Sequence, residues 1–340
     1  MTSEGHDEAR GGSSMHGATT SCEVTVVIPT RNRWPVLRDA ALRAASCQEG
    51  VDCEIVVVDD GSVDGTADRV AELVDPRLRV VRHERSLGVA RARNAGIDAA
   101  CGVWIAFLDD DDIWSPHKLR TQIDSATSRG ASFVYGASVA LDERKRFLFG
   151  HAPPDPSTLR SELLRRNVMW GGCSNVVVRA DVVRNLGRFD EQLFQLADWD
   201  LWIRLANSAR AAMCPEVLVG CVTHQASMLL TDRRDVFEEF DYLVRKHRQI
   251  TEDLGHGFDQ ALFSRWVAGG HVRAGRRVAA ARALRRGASK SDLGNLVRVT
   301  GVLLGKPAMR IGTRLVSSVP GYVPSGERTA AEPDWLDRYW

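Results

Sequence analysis

At 340 residues, with 44% hydrophobic and 26% charged residues, the chain has room for one large or two smaller globular domains and is not of disordered or fibrous composition. A formal net charge of +1 gives no reason to expect nucleic acid as a partner. Charge is unevenly spread: residues 271–314 hold eleven Lys/Arg and one acid, Asp292, so this stretch is about +10 and the remainder about −9.

The first 22 residues, MTSEGHDEARGGSSMHGATTSC, show no basic-then-apolar order and read as a disordered leader rather than a signal peptide. From Glu23 the pattern changes. VTVVIP (24–29) is an apolar, β-branched run closed by Pro29, as in a buried strand, and a helix is expected from Trp34 to about Ser46. EIVVVDDGS (54–62) is a second strand ending in acids. DGTADRVAELV (64–74) is an amphipathic helix with Asp64 placed as its N-cap. RLRVVRH (77–83), GVARARNAGIDAAC (88–101) and VWIAFL (103–108) predict strand, helix and strand, and SPHKLRTQIDSATSR (115–129) a further helix. This alternation predicts a parallel sheet covered on both faces, with ligands beyond the carboxyl ends of the strands.

Past residue 130 the alternation loosens. Strands are expected at 132–141 and 215–224, a strand running into a helix at 174–183, and a helix at 197–207. From about Asp232 the chain reads as helical and rich in Arg and Ala. The domain expectation is therefore a leader over 1–22, an α/β domain over 23–230 and a helical, basic region over 231–340. No stretch approaches 18 uninterrupted apolar residues, so no membrane-spanning helix is expected. The seven cysteines are scattered and never spaced C-x-x-C, which argues against a disulfide framework or a zinc site and for a reducing, cytoplasmic setting.

The chemistry concentrates where strands stop. LDDDDIW (108–114) sets four carboxylates off the end of an apolar run, either as a solvated acidic loop or as hard oxygen ligands for Mg²⁺ or Mn²⁺. VVVDDGSVDGT (56–66) suits a nucleoside-binding turn and equally an ordinary strand–turn–helix. Arg91 and Arg93, near the start of a helix, are two exposed cations or partners for a diphosphate.

Taken in order, VTVVIPTRNR, EIVVVDDGSVDGT, LGVARARNAGI, WIAFLDDDDIWSPHKL, GGCSNVVVRADVVRNLGRFDEQL and ADWDLWIRL resemble the family 2 glycosyltransferases of the GT-A fold, over roughly residues 23–226. The resemblance implies a Rossmann-like, mostly parallel central sheet flanked by helices, here with a helical C-terminal extension. It also implies transfer of a sugar, with inversion, from a nucleotide-diphospho-sugar to an acceptor hydroxyl on a glycan, lipid-linked or small molecule. On that reading Pro29, Thr30 and Arg33 line the nucleotide pocket, Asp59 contacts the base and Arg93 lies near the diphosphate. Asp109 and Asp111 are the metal-facing acids, Asp111 the more direct, with Mn²⁺ or Mg²⁺ as cofactor. Asp110 reaches towards the ribose or sugar, and His224 stands near the metal. Trp170, Gly171 and Gly172 belong to the acceptor cleft, with Trp170 a sugar-stacking surface. The general base falls on Asp198, in ADWDLW, where Ala197 departs from the glutamate common in the family; Asp200 more plausibly supports structure. Trp114, Trp199 and Trp202 suit core or cleft equally. The basic C-terminal stretch suggests peripheral docking on an anionic membrane, a solvated appendage or a dimer contact. A nucleotidyltransferase and a non-catalytic nucleotide-sugar-binding protein are the competing functions.

Overall fold

The structure, a computed structural model, describes residues 22–223, 235–288, 293–304 and 330–339. β1 (Val24–Thr30) and β2 (Cys53–Asp59) are buried almost throughout. A strand covered on both faces gains from an apolar side chain at every position, which is why these runs do not alternate. Between them, the expected helix forms as α1 (Trp34–Leu37), a π turn (Arg38–Leu42) and α2 (Arg43–Ser46). There follow α3 (Thr66–Ala71), β3 (Leu78–Arg82), α4 (Val89–Ala99) and β4 (Trp104–Phe107). At α3 the N-cap position is Gly65 rather than Asp64; the Asp64 carboxylate still accepts the Thr66 N–H, at 3.0 Å.

The second half adds β5 (Ile113–Trp114), α5 (Lys118–Ser128), β6 (Phe133–Leu141), β7 (Phe147–His151) and α6 (Leu159–Arg165). Then come β8 (Val177–Arg179), α7 (Ala180–Asn185), α8 (Ala197–Ser208) and β9 (Ala211–Val222). The sheet order is β3-β2-β1-β4-β8-β6-β9-β5, with β7 paired to β6. β1, β2, β3, β4, β6 and β9 run in one direction, and β5, β7 and β8 oppose them. This is the mostly parallel, helix-flanked sheet expected from the sequence. The chain runs β1, β2, β3 towards one edge and then returns to place β4 on the other side of β1, so strand order reverses there. In open α/β sheets that reversal opens a crevice at the carboxyl ends.

Successive residues of the central strands feed opposite faces. Val27, Val56, Val58, Ile105 and Phe107 enter one buried cluster; Val26, Ile28, Ile55, Val57 and Ala106 enter the other. The helical region, α9 (Val236–Lys246), α10 (Arg248–Leu254), α11 (Gln260–Arg273), α12 (Arg277–Arg286) and α13 (Leu293–Leu304), closes on the first face. Its Phe237, Phe240, Phe263, Val267 and Leu284 share a cluster with Phe107, Trp199 and Trp202. On the opposite face a 3-10 turn, Asp334–Tyr339, packs back, and the Tyr339 hydroxyl donates to the Trp114 carbonyl at 2.8 Å. Trp114, Trp199 and Trp202 are thus core residues. Among the described residues no helix is long and apolar enough to cross a membrane.

Candidate active site

The carboxyl ends of β2 and β4, which flank β1 in the sheet, carry the acids. Asp59 ends β2 and is fully buried; its Oδ1 accepts the Ser62 N–H at 2.7 Å, while Oδ2 has no protein partner. A buried carboxylate oxygen without a donor is costly, so a ligand N–H or O–H there would relieve it. Its neighbour Asp60 is fully engaged, with His83 Nδ1 at 2.8 Å, Ser86 Oγ at 2.7 Å and the Leu87 and Gly88 N–H groups at 2.8 and 3.0 Å. Asp60 thus shapes the loop leading into α4. Gly61 makes this possible: its φ is +72°, and a Cβ there would lie 2.5 Å from the Arg85 backbone. Asn32, itself at φ +53°, ties the β1 and β2 loops together through Ser62 and Val63.

The four acids after β4 divide sharply. Asp109 is paired with Arg93, at 2.6 Å, and its side chain stays one-third exposed. Asp110 is buried between the Thr30 hydroxyl, at 2.8 Å, and Arg33, at 2.7 Å. Burial pushes its carboxyl up to about 7, against the pull of Arg33. Asp111 receives the other arm of Arg33 at 2.8 Å. Asp112 turns inward, accepting from Ser174 Oγ at 2.6 Å and Val222 N–H at 3.1 Å, and burial raises its carboxyl well above the usual range. Pro29 is buried in β1 next to Thr30. Arg93 is buried rather than exposed, whereas Arg91 lies on the surface against Glu191.

Ser174 lies in the GGCSN stretch, where nothing local marks its role. Its hydroxyl accepts the Asp109 N–H at 3.0 Å and donates to Asp112, and its carbonyl accepts from the Trp114 indole at 2.9 Å. It therefore fastens the acidic loop to the 3-10 turn Gly172–Asn175. Asn175 fastens the same turn to β6, exchanging hydrogen bonds with both backbone groups of Gly136 and capping the Trp170 carbonyl. Gly171, at φ +87°, has Asn175, Ser138 and Cys221 close around it, so a side chain there would be both strained and crowded. Trp170 is 40% exposed, and its inner face stacks on His151 at 3.8 Å between ring centroids.

Asp198 stands in the first turn of α8, on the far side of this turn: a Cβ at Gly172 would lie 4.0 Å from its Oδ2. Its Oδ1 accepts the Trp199 N–H at 2.6 Å, and Asn167 supplies a second bond. Burial raises its carboxyl above the ordinary value; Arg93 lowers it and Asp109 raises it further. The fold therefore brings Asp198 into the field of the acidic loop, 89 residues earlier (198 − 109). Asp200, two residues on, points into the interior and is bound by Arg204, Lys246 and His247. His224 lies outside the described residues.

The acids suit a hard divalent cation in one respect. Asp109 and Asp111 are two carboxylates, two residues apart, each already neutralised by a cationic arginine that a metal would replace or join. Among the described residues the loop does not bring three His, Cys, Asp or Glu donors together, the only such group being Cys22, Glu54 and Cys101. Mg²⁺ is commonly held by one or two carboxylates with phosphate and water completing its shell, so the pair fits that mode.

Residues 25–187 match the model of the family "Glycosyl transferase family 2". The succinoglycan biosynthesis protein ExoO of Rhizobium meliloti is 38% identical over 213 residues, covering 59% of this chain and 60% of that protein. The UDP-Glc:alpha-D-GlcNAc-diphosphoundecaprenol beta-1,3-glucosyltransferase WfgD of Escherichia coli is 27% identical over 222 residues, covering 65% of this chain and 85% of its own. Among solved structures, S. aureus TarS 1–349 in complex with UDP-GlcNAc superimposes with a TM-score of 0.54 at 16% identity, over 82% of this chain and 80% of that one. That likeness is one of fold. With six stretches in order and an α/β sheet whose acids meet at its switch point, residues 25–187 match the family 2 glycosyltransferases, and the chain has the GT-A fold.

Proposed function

We propose that the protein transfers a sugar from a nucleotide-diphospho-sugar to an acceptor hydroxyl with inversion at the anomeric carbon. The observation that carries this reading is the convergence of Asp198 with Arg93 and Asp109 across the 3-10 turn, which sets a carboxylate of raised proton affinity in the field of the Arg93–Asp109 ion pair. Neighbouring structures hold UDP-GlcNAc and UDP, which supports a nucleotide-sugar donor. Asp59, with its unpartnered Oδ2, accepts from the base, and Pro29, Thr30 and Arg33 line the nucleotide pocket beside Asp110. A Mn²⁺ or Mg²⁺ ion held by Asp111 and Asp109 would offset charge gathering on the departing diphosphate.

The chain's own groups do the rest. Arg93, buried and permanently charged, holds Asp109 in place and adds positive potential beside the leaving group. Asp198 removes the proton of the acceptor hydroxyl as it attacks the face opposite the diphosphate, and Asn167 with the Trp199 N–H fixes the orientation of its carboxylate. Trp170, backed by His151, offers a flat apolar face for the acceptor ring beside Gly171 and Gly172. One relative is named for a diphosphoundecaprenol-linked acceptor. Together with the basic outer face of α12, this supports an acceptor presented at an anionic membrane surface.

The test is Asp198→Asn. Transfer should fall at least about 100-fold, the usual scale for losing a general base, while nucleotide-sugar and Mn²⁺ binding, followed by thermal shift, persist. Unaffected turnover would sink the assignment of the base. Absence of turnover in the unaltered protein across a nucleotide-sugar panel, with binding retained, would favour a binding protein instead.

A further inference from the structure

Two of the scattered cysteines, 79 residues apart, meet in the fold: Cys22 Sγ and Cys101 Sγ are 3.3 Å from one another. Cys22 is buried where the chain enters β1, and Cys101 is exposed between α4 and β4. The contact is framed by backbone pairing, since Val103 N–H donates to the Cys22 carbonyl and Trp104 N–H to the Glu23 carbonyl. Disulfide sulfurs sit about 2.05 Å apart, so closure asks for a movement of only about an ångström at an exposed turn.

We propose that Cys22 and Cys101 form a reversible disulfide on exposure to a small-molecule disulfide such as oxidised glutathione. Cys101, as thiolate, attacks one glutathione sulfur and the other glutathione leaves as thiolate. Cys22, as thiolate, then attacks the Cys101 sulfur and expels the second glutathione. The two cysteine protons end on the two glutathione thiols, so one S–S bond is exchanged for another with no net gain or loss of electrons. Burial and the contact with Cys101 push the Cys22 thiol up to about 12, which makes the second step slow at neutral pH and faster in alkali.

Glu54 completes a group whose donor atoms lie within 4.8 Å of one another, the arrangement a metal would need. Its carboxylate is already committed: Oε1 accepts from Thr25 Oγ1 at 2.5 Å and Cys101 N–H at 2.6 Å, and Oε2 from Arg79 at 3.0 Å. A cation would have to break those bonds and pull two protons from the thiols, whereas a disulfide disturbs neither Glu54 nor Arg79. The bridge would lie at the amino ends of β1 and β4, opposite the acidic crevice.

Full-length protein is incubated with oxidised glutathione in mildly alkaline buffer, then unfolded, alkylated and mapped. The seven thiols should fall by two, with the Cys22 and Cys101 peptides cross-linked. The melting temperature should rise by about 5 °C, as closing a long loop implies, and return on reduction. Cys101→Ser, at an exposed position, should fold normally and lose the rise. Seven remaining thiols, a cross-link elsewhere, or glutathione retained on Cys101 would overturn the proposal. So would zinc bound by the unaltered protein, lost in Cys101→Ser and accompanied by no cross-link.

Discussion

Asp198 and Asp200 sit two residues apart in the first turn of α8 and face different environments. On a helix that spacing turns the side chains about 200° from each other, and the consequence is visible in their partners. Asp198 looks onto the 3-10 turn and the acidic loop, whereas Asp200 is sealed inside with Arg204 at 2.7 Å, Lys246 at 2.8 Å and His247 at 2.8 Å. Burial by itself would push the Asp200 carboxyl up; the bonds from His247, Arg204 and Lys246 outweigh it and hold it near 2. Because the folded value lies below the unfolded one, near 4, the group stabilises the fold above pH 4 and loses that contribution as pH falls towards 2. The linkage is worth roughly 2.5 kcal/mol. Asp200→Asn should therefore lower stability at neutral pH by about 2–4 kcal/mol, since it also leaves buried cations short of a partner. Urea titrations across pH should show its deficit shrinking between pH 4 and 2. A deficit that stayed constant with pH would mean that packing, not charge, is what Asp200 supplies. The expectation that Asp200 supports structure agrees with its place in the interior. The family resemblance assigns Asp59 to the base, but VVVDDGS itself does not show what Asp60 does, because the groups that occupy Asp60 lie 23 to 28 residues further on.

At the scale of elements, what could be read from the sequence was what period and length encode. The βα alternation from β1 to α5 follows from continuous apolar runs and amphipathic segments, and the structure places each close to its expected bounds. Elements whose existence depends on a distant partner were not legible. β5 is two residues long and exists because Ile113 and Trp114 find Gly220 and Val219 on β9. β7 follows a polar turn, DERKR, and is defined by its pairing with β6. That pairing matters at the site. It places His151 opposite Ser138 and so sets the ring on which Trp170 stacks, while Asn175 holds the Trp170 carbonyl from the other side. The indole is thus presented by two elements and not by its own loop. If its open face receives the acceptor ring, Trp170→Ala should raise the acceptor KM roughly tenfold, the scale of one lost aromatic contact. The donor KM and slow donor hydrolysis should stay as they were. A loss confined to the donor side would place the indole outside the acceptor path.

For the whole molecule, the question is what the C-terminal charge is for. Removing the helical region is a poor way to ask, because α11 and α12 contribute Phe263, Val267, Ala280 and Leu284 to the same core as Phe107 and Trp202. A truncated chain would lose that packing, at several kcal/mol for each large side chain removed, before any surface effect could be read. The distribution along α12 offers a cleaner handle. Ala280, Ala281, Ala283 and Leu284 are buried, while Arg277, Arg282 and Arg285, with Arg276 just before the helix, are exposed on its outer side beside Val278. Long basic side chains around an apolar residue suit the headgroup layer of an anionic bilayer, where each is worth about 1 kcal/mol. Replacing Arg276, Arg277, Arg282 and Arg285 by Gln removes four charges without touching the buried face. Co-sedimentation with phosphatidylglycerol-rich vesicles at low salt should then weaken on the order of 1000-fold, and the melting temperature should hardly move. Raising the salt should weaken the unaltered protein in the same direction, because exposed charges are screened over a Debye length of about 10 Å at 0.1 M. Equal binding by the two proteins, or equal binding to neutral phosphatidylcholine vesicles, would assign the basic face to solvent or to a second copy of the chain, which sedimentation velocity would then distinguish.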